Sequence, residues 1–377
     1  MKKQILSAVL AGGMALSLAA CGSSSTTSTT AAAGSSAAAE TTAAAKEETS
    51  AQAKAESTAA AESKGASEAS GAVGGDDISE TTATDWKPSG PVSLVLPAGA
   101  GGDTDLSARI FAQYAKEATG VDFVVVNANG ASGSVAANQV LSAANDGQTV
   151  LYGHNLVNVA KVAGITDYDY TAFTLGPTFA KNDAQGLYVN PDKYDSLDAF
   201  IKAAKENPGK LKACTEVGAY TYYEFLEFEK LAGIDLDLVD VGSNSDKVTA
   251  MLSGQVDMMP GAFVNTKDYI DAGQFLCVGI PTAERSKLMP DVPTLKEQGI
   301  DMVFPDLDYS FYFPKDTDDS VIAWYENTTK AVLSNEKCQE DLKNMEINPY
   351  YLSAADSVEN DKGYLATFEE IASSVEQ

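Results

Sequence analysis

Histidine and arginine are almost missing from this chain. Its 377 residues contain one His, His154, and two Arg, Arg109 and Arg285. A multi-histidine metal site is therefore excluded, and little material exists for bidentate guanidinium clamps on phosphate. Cations are scarce overall: 26 Lys and Arg stand against 53 Asp and Glu, a formal charge of −27. That balance argues against nonspecific adhesion to nucleic acid or to anionic lipid. There is no CxxC spacing, which disfavours redox and zinc roles. After Cys21, Cys214, Cys277 and Cys338 remain, an odd number that leaves at least one free thiol. Cys277 sits in an apolar run and reads as a small buried hydrophobe. No cofactor or metal is implied. What the chain does have is 44% apolar and 8% aromatic residues, enough for a sizeable core and, by length, about two domains.

The first twenty residues read as a processing signal, with Lys2 and Lys3 ahead of an apolar stretch that stops at a cysteine. It is not a transmembrane helix. Leu18-Ala19-Ala20-Cys21 resembles the bacterial lipobox, in which cleavage precedes a cysteine that then carries lipid; the alternative is an ordinary secretory cleavage site with an incidental Cys. From residue 22 to 85 the composition is Ser, Thr, Ala and Gly with scattered charge and no aromatic, so nothing offsets the entropy of ordering. The expectation is a lipidated Cys21 followed by a flexible tether over 21–85, with folded structure from Trp86.

Between residues 91 and 153 short β-rich runs alternate with helical ones: strands over 92–96, 123–127 and 149–152, helices over 106–118 and 135–144. That order implies right-handed βαβ units on a mainly parallel sheet. Leu106, Ile110, Phe111 and Tyr114 recur at helical spacing and predict the face of the first helix that packs on the sheet. The alternation resumes after Pro191, with helices over 197–206, 220–232, 245–252 and 266–272 and strands over 211–214, 236–241, 256–259 and 275–280. After a Pro-rich loop come an aromatic run over 309–313 and helical patterns over 321–333 and 364–375, which are expected to return to the first sheet. The resulting expectation is an α/β chain of two lobes, 86–187 plus 283–377 and 188–282, crossed twice. Such a layout forms a hinge with a cleft at strand C-termini and helix N-termini, suited to binding by closure.

The glycine-rich turn Pro97-Ala98-Gly99-Ala100-Gly101-Gly102-Asp103-Thr104-Asp105 joins a strand to a helix. Glycines let the backbone approach a ligand, and a helix N-terminus offers free N–H groups and a positive dipole end. A strongly acidic chain can thus still hold a carboxylate. Dinucleotide binding is disfavoured, because Thr104 stands where the third glycine of G-x-G-x-x-G belongs and the second strand ends in Asn127 rather than an acidic residue. Asp103 or Thr104 also serves as an N-cap candidate. The second strand-to-helix turn, Asn129-Gly130-Ala131-Ser132-Gly133-Ser134, repeats the chemistry. It lies one residue from the G-x-S-x-G nucleophile elbow, so a serine hydrolase using Ser132 with His154 as base is the alternative from another class; Ser132 as a cap and hydrogen-bond donor is the plainer reading. His154 follows the third strand and belongs at the same rim, as a hydrogen-bonding wall of the cleft.

The run Val95-Leu96-Pro97-Ala98-Gly99-Ala100-Gly101-Gly102-Asp103-Thr104-Asp105 through Arg109 is one of several motifs in order. It is followed by Gly130-Ala131-Ser132-Gly133, Asp146-Gly147-Gln148-Thr149, Gly254-Gln255-Val256-Asp257, and Ala283-Glu284-Arg285-Ser286-x-x-Met289-Pro290-Asp291-Val292-Pro293-Thr294-Leu295. From about Pro91 to its end the chain resembles the substrate-binding proteins of tripartite tricarboxylate transporters, the Bug/TctC type. The resemblance implies a periplasmic-binding-protein-like fold of type II and no enzymatic activity. It also implies an extracytoplasmic protein that delivers a small organic carboxylate to a permease of two unlike subunits; with the lipobox-like Cys21, the expectation is a monomer lipid-anchored at the outer face of the bacterial cytoplasmic membrane. A carboxylate sensor without transport is the alternative within that class. The carboxylate is then expected at Gly101, Gly102, Asp103, Thr104 and Asp105 and at Ala131, Ser132 and Gly133, with His154 beside them.

In the second lobe the chain departs from the pattern. Where relatives carry a Gly/Ser-rich segment and His, it has Cys214-Thr215-Glu216-Val217-Gly218-Ala219-Tyr220-Thr221-Tyr222. Glu216, Gly218, Tyr220 and Thr221 join the expected site. Glu216 would repel a second carboxylate, and Tyr220 and Tyr222 would stack on an apolar tail, so a monocarboxylate, an aromatic acid or an amino acid competes with a tricarboxylate. The other reading of Tyr220, Tyr222 and Tyr223 is a packed helix start. Asp257 is placed near the cleft by the resemblance. The Arg285 motif reads as a hinge-side loop stiffened by prolines, and Arg109 as a tie for the glycine turn.

Overall fold

The structure, a computed structural model, describes residues 73–375. The expected signal segment 1–20, Cys21 and the tether as far as residue 72 lie outside the described residues. Over its last part the expectation of a tether through residue 85 fails. Gly74 and Gly75 pair in parallel with Tyr350 and Tyr351, and the Asp76 carboxylate accepts the Ser353 N–H. Thr82 and Asn327 exchange hydrogen bonds in both directions. These ties run through backbone groups, so a stretch with no apolar periodicity still docks. Gly75 is required there: its φ is +86°, and a Cβ would lie 1.9 Å from the Tyr351 carbonyl oxygen.

In chain order the elements are β1 (Gly74–Gly75), β2 (Val92–Leu96), α1 (Asp103–Thr119), β3 (Phe123–Asn127), α2 (Ser134–Leu141), β4 (Thr149–Gly153), α3 (Leu156–Val162), β5 (Phe173–Asn182) and β6 (Gln185–Val189). There follow α4 (Leu197–Glu206), β7 (Lys212–Thr215), α5 (Tyr220–Ala232), β8 (Asp237–Asp240), α6 (Asn244–Leu252), β9 (Met258–Ala262), α7 (Lys267–Asp271) and β10 (Leu276–Gly279). The chain ends with β11 (Leu307–Pro314), α8 (Asp319–Leu333), α9 (Glu336–Asn344), β12 (Asn348–Leu352) and α10 (Ala354–Val375).

Two sheets result. One runs β1-β12-β5-β11-β4-β2-β3, the other β10-β6-β9-β7-β8. Parallel pairing holds where strands alternate with helices: β2 with β3 and β4, and β7 with β8 and β9. Elsewhere the expected parallel sheet gives way to antiparallel pairing, at β11 with β4 and β5, and at β6 with β9 and β10. The cause is connectivity. β5 and β6 are consecutive strands separated by Asp183 and Ala184 alone, so the chain passes from one sheet to the other without a crossover helix. Sheet membership therefore changes between Asn182 and Gln185, ahead of the boundary at 187 expected from sequence. It changes back between Gly279 and Leu307.

Periodicity explains most of the helices. α1 buries Ala108, Phe111, Tyr114 and Ala115 and ends at Gly120 with φ +74°. Phe111 is the anchor, with ring centroids 5.1 Å from Phe179 and 4.8 Å from Phe311. Leu106 and Ile110, expected on that face, are only half-buried. α3, α9 and the strands β5, β6 and β12 were not legible in advance. β5 is buried along nearly its whole length, and a strand covered on both faces loses the alternation that marks one.

The return crossing is tied by side chains. Arg285 donates to Glu297 at 2.9 Å and to the Pro290 carbonyl at 3.1 Å. Ser286 donates to Asp183 at 2.9 Å, on the first crossing. The Arg285 loop thus fastens the two crossings to each other.

Candidate functional site

Strand-to-helix turns from both sheets meet at one cavity of about 320 Å³, among them the turns before α1, α5 and α6. α1 starts at Gly102, whose φ is −81°, and α5 at Ala219; neither cap has a side chain to accept a hydrogen bond. The Thr104 N–H is taken by the Asp103 carboxylate, and the positive ends of both helices lie at the cavity. Gly101 turns the chain into α1 with φ +84°, a conformation that favours glycine.

Of the residues expected from sequence, Gly102, Asp103, Thr104, His154, Glu216, Tyr220 and Thr221 line the cavity. Asp103 is buried and its carboxylate is fully engaged. It accepts from Tyr309 Oη at 2.7 Å, Asn182 Nδ2 at 2.9 Å, Gln185 Nε2 at 3.3 Å and the Thr104 N–H at 3.0 Å. Asp103 therefore joins the ligand turn to both crossings rather than offering a free charge. His154 faces Tyr220 and Tyr309 edge-on. Burial pulls its imidazole below the usual value, against the opposing pull of Asp103 and Asn155, which favours the neutral ring.

Others lie outside the lining. Asp105 turns back into its own loop and accepts from the Gly101 N–H at 2.9 Å, from Arg109 at 2.9 Å and from Asn127 at 2.9 Å. Burial works to raise it, but the hydrogen bonds from Arg109, Gly101 and Asn127 together hold it below the ordinary carboxylate value. Gly101 contributes its carbonyl, which accepts from Asn265 Nδ2 at 3.1 Å across the cleft. In the second turn Asn129 and Gly130 line the cavity, while Ala131, Ser132 and Gly133 do not. Ala131 and Ser132 adopt left-handed backbone, with φ +46° and +50°. Gly218 is where the β7–α5 turn meets the α3 region: a Cβ there would lie 3.1 Å from Ile165 and 3.2 Å from Ala163.

Asp257 is a correction. It precedes β9 rather than following it, and its carboxylate accepts from Lys193 Nζ at 3.1 Å, Tyr194 Oη at 3.3 Å and the Lys212 N–H at 3.0 Å. Lys212 opens β7, whereas Glu216 follows the other end of that strand. Asp257 thus belongs to the edge of the sheet away from the cavity. Among the tyrosines, Tyr220 lines the cavity, but its hydroxyl donates to the Pro305 carbonyl. Tyr222 and Tyr223 pack against each other, and Tyr223 against Phe368.

Sequence reasoning missed the turn before α6. Gly242, Ser243, Asn244, Ser245, Asp246 and Lys247 all line the cavity. Ser243 and Asp246 form a capping box, the Asp246 carboxylate taking the Ser243 N–H at 3.1 Å and its hydroxyl at 2.6 Å. That Ser-x-x-Asp pattern after a β-run is a signal that sequence alone carries. Behind it stands Lys247, 4% exposed. Its ammonium donates to Thr221 Oγ1 at 3.1 Å, and Thr221 is itself hydrogen-bonded to Thr215 at 2.9 Å. Burial pulls Lys247 below its usual value, while Cys214, Glu216, Glu224 and Asp103 oppose that pull. Beneath it, burial pushes Glu224 up to about 8, with Lys247 drawing it back only in part.

For a serine hydrolase the arrangement is incomplete. Among the described residues Ser132 makes no hydrogen bond to His154, and His154 Nδ1 meets the amide oxygen of Asn155 at 3.2 Å rather than a carboxylate. No group of His, Cys, Asp and Glu among the described residues is arranged to hold a metal ion. No helix among them is long and apolar enough to cross a membrane.

Two α/β sheets joined by two crossings, with helix N-termini converging on a cleft, define a two-lobed solute-binding protein. The chain belongs to the tripartite tricarboxylate transporter family receptors, TctC, whose family model matches residues 107–365. It is 28% identical over 295 residues to the UPF0065 protein in the gbd 5'region of Cupriavidus necator, covering 74% of this chain and 87% of that one. Among solved structures it resembles the periplasmic binding protein BugD, with a TM-score of 0.69 at 23% identity, covering 77% of this chain and 98% of BugD. MatC from Rhodopseudomonas palustris with bound malate gives a TM-score of 0.69 at 22% identity, covering 76% of this chain and 100% of MatC. Members of this family are solute receptors, and membership implies an extracytoplasmic place of work.

Proposed function

We propose that this chain captures a small organic carboxylate by closing its two lobes and hands it, unaltered, to a membrane permease of two unlike subunits. The observation that carries the reading is the buried Lys247, which lines the same cavity as the N-termini of α1 and α5. Together they supply the positive potential that an acidic chain otherwise lacks. MatC, of the same fold, holds malate, and a carboxylate of that size suits a cavity of about 320 Å³. Cys21 is the proposed lipid anchor, and residues 22–72 the span between membrane and receptor, with the receptor working as a monomer. A binding role accounts for Ser132 and His154 without chemistry: one sits in a left-handed turn outside the cavity lining, the other walls it as a neutral ring.

The test is a thermal-shift and calorimetric screen of the purified protein against mono-, di- and tricarboxylates, aromatic acids and amino acids, with product analysis of each mixture. A ligand at a hundred times its dissociation constant adds about 2.7 kcal/mol of stability. Saturable binding with the ligand recovered intact is the expected result. Turnover of an ester or amide, lost in Ser132→Ala, would replace the receptor reading with a hydrolase.

A further inference from the structure

The charges facing the cavity divide into those already engaged and those still free. Asp103 is engaged by four donors. Asp246 is engaged by the capping box. His154 is held toward its neutral form by burial. Two groups differ. Lys247 has three N–H donors, and among the described residues Thr221 accepts from one of them. Glu216 is half-buried at the cavity wall, and among the described residues its carboxylate accepts no hydrogen bond. Lys247 and Glu216 feel each other electrostatically without forming an ion pair. Glu224, beneath Lys247, has a buried Oε1 without a hydrogen-bond partner. Since burial pushes it up to about 8, it is largely protonated at neutral pH and does not neutralise the lysine.

Resting on the receptor reading, we infer that the solute is zwitterionic, an amino acid or close analogue, its carboxylate held by Lys247 and its ammonium by Glu216. A buried cation with unfilled donors is costly unless an anion completes it. A carboxylate accepting nothing at the wall of the same small cavity calls for a cation in the same way. The two free charges are opposite and equal, so a ligand carrying one of each satisfies both. A dicarboxylate would complete Lys247 but set its second charge against Glu216, and an amine without a carboxylate would leave Lys247 unfilled. Part of the remaining wall, formed by Pro97, Ala98, Leu156, Leu307 and the Tyr220 ring, is apolar and takes the side chain.

The test begins with a thermal-shift screen of the purified protein against the common amino acids. Calorimetry then compares each hit with the same acid lacking its amine and the same amine lacking its carboxylate. The expected result is at least one amino acid that binds about tenfold or more tightly than either truncated analogue, the size of a lost charge-assisted hydrogen bond. Glu216→Gln should erase the preference over the amine-free acid, and Lys247→Met should weaken both acids. Lys247→Gln, which keeps a donor, provides a second variant should Lys247→Met melt at room temperature. If the tightest ligand is an acid without an amine, and Glu216→Gln binds it as well or better, the zwitterion inference is overturned while the receptor reading stands. If no acid of any kind binds, the receptor reading itself fails.

Discussion

Asp103, the first residue of α1, accepts a hydrogen bond at 2.9 Å from Asn182, the last residue of β5. It accepts another at 2.7 Å from Tyr309, near the start of β11. One carboxylate thus reaches from the ligand turn to the strand that leaves the first sheet and to the strand that returns. A single side chain ties the glycine turn at the cavity to both strands.

Replacing Asp103 with Asn keeps the shape but removes the acceptor that three side chains share. Asp103→Asn is expected to lower unfolding stability by about 1–3 kcal/mol, because buried donors are left without a partner. It should also weaken ligand binding. Denaturant melts and calorimetry on the same preparation check both; unchanged affinity in the folded variant would show that the hinge does not sense this residue.

Asn265 reaches across the cleft to the Gly101 carbonyl at 3.1 Å. That bond exists only when the lobes are together. Asn265→Ala should therefore cost about 1 kcal/mol of binding energy, roughly fivefold in affinity. Because Asn265 is partly exposed, stability without ligand should move by no more than about 0.5 kcal/mol. Equal losses in stability and affinity would assign it a purely structural role.

The docked segment 73–85 makes its ties to α8 and β12. A chain starting at Trp86 should melt several degrees below one starting at Val73, in line with a loss of about 1–3 kcal/mol over a few hydrogen bonds. Coincident melting curves would show that the segment is stuck on rather than built in.

Among the described residues burial pushes several carboxyls up, most strongly Glu224 to about 8, and Glu229 and Asp361 to about 7. In the unfolded chain they titrate near pH 4, so through the window from there to about 8 the native state binds more protons. Their contribution is complete at acid pH and is lost as pH rises through the native values. The melting temperature is expected to fall between pH 5.5 and pH 8, both roughly chosen inside that window, and Glu224→Gln should flatten the slope. A melting temperature that rises across the window would contradict the assignment.

Filling of the core at Phe111 is the plainest structural expectation. Phe111→Ala should destabilise the fold by about 3–5 kcal/mol, since the ring is fully buried against Phe179 and Phe311. A small loss in denaturant unfolding would mean that the surrounding aromatics collapse into the gap.

Local order determined much of this protein in advance. α4 and α5 are read from helical spacing because one face of each is buried and the other is not, and β2 and β3 from short runs of β-branched residues between turns. The glycine turn before α1 announces itself because its backbone at Gly101, with φ +84°, favours glycine. Tertiary structure decided the rest. β5 and β6 hide because burial on both faces erases periodicity. Segment 73–85 hides because backbone bonds, rather than side chains, dock it. Asp257 was misassigned because sequence order does not say which end of a strand faces the cleft.

Lys247 is the clearest case. In sequence it is one of many lysines on a helix that begins with a capping box. Only the meeting of α5 and α6 at the cavity buries its ammonium beside Thr221. The charge that matters for the solute is set by which donors the fold leaves unfilled, a property of three-dimensional packing that no count of residues contains.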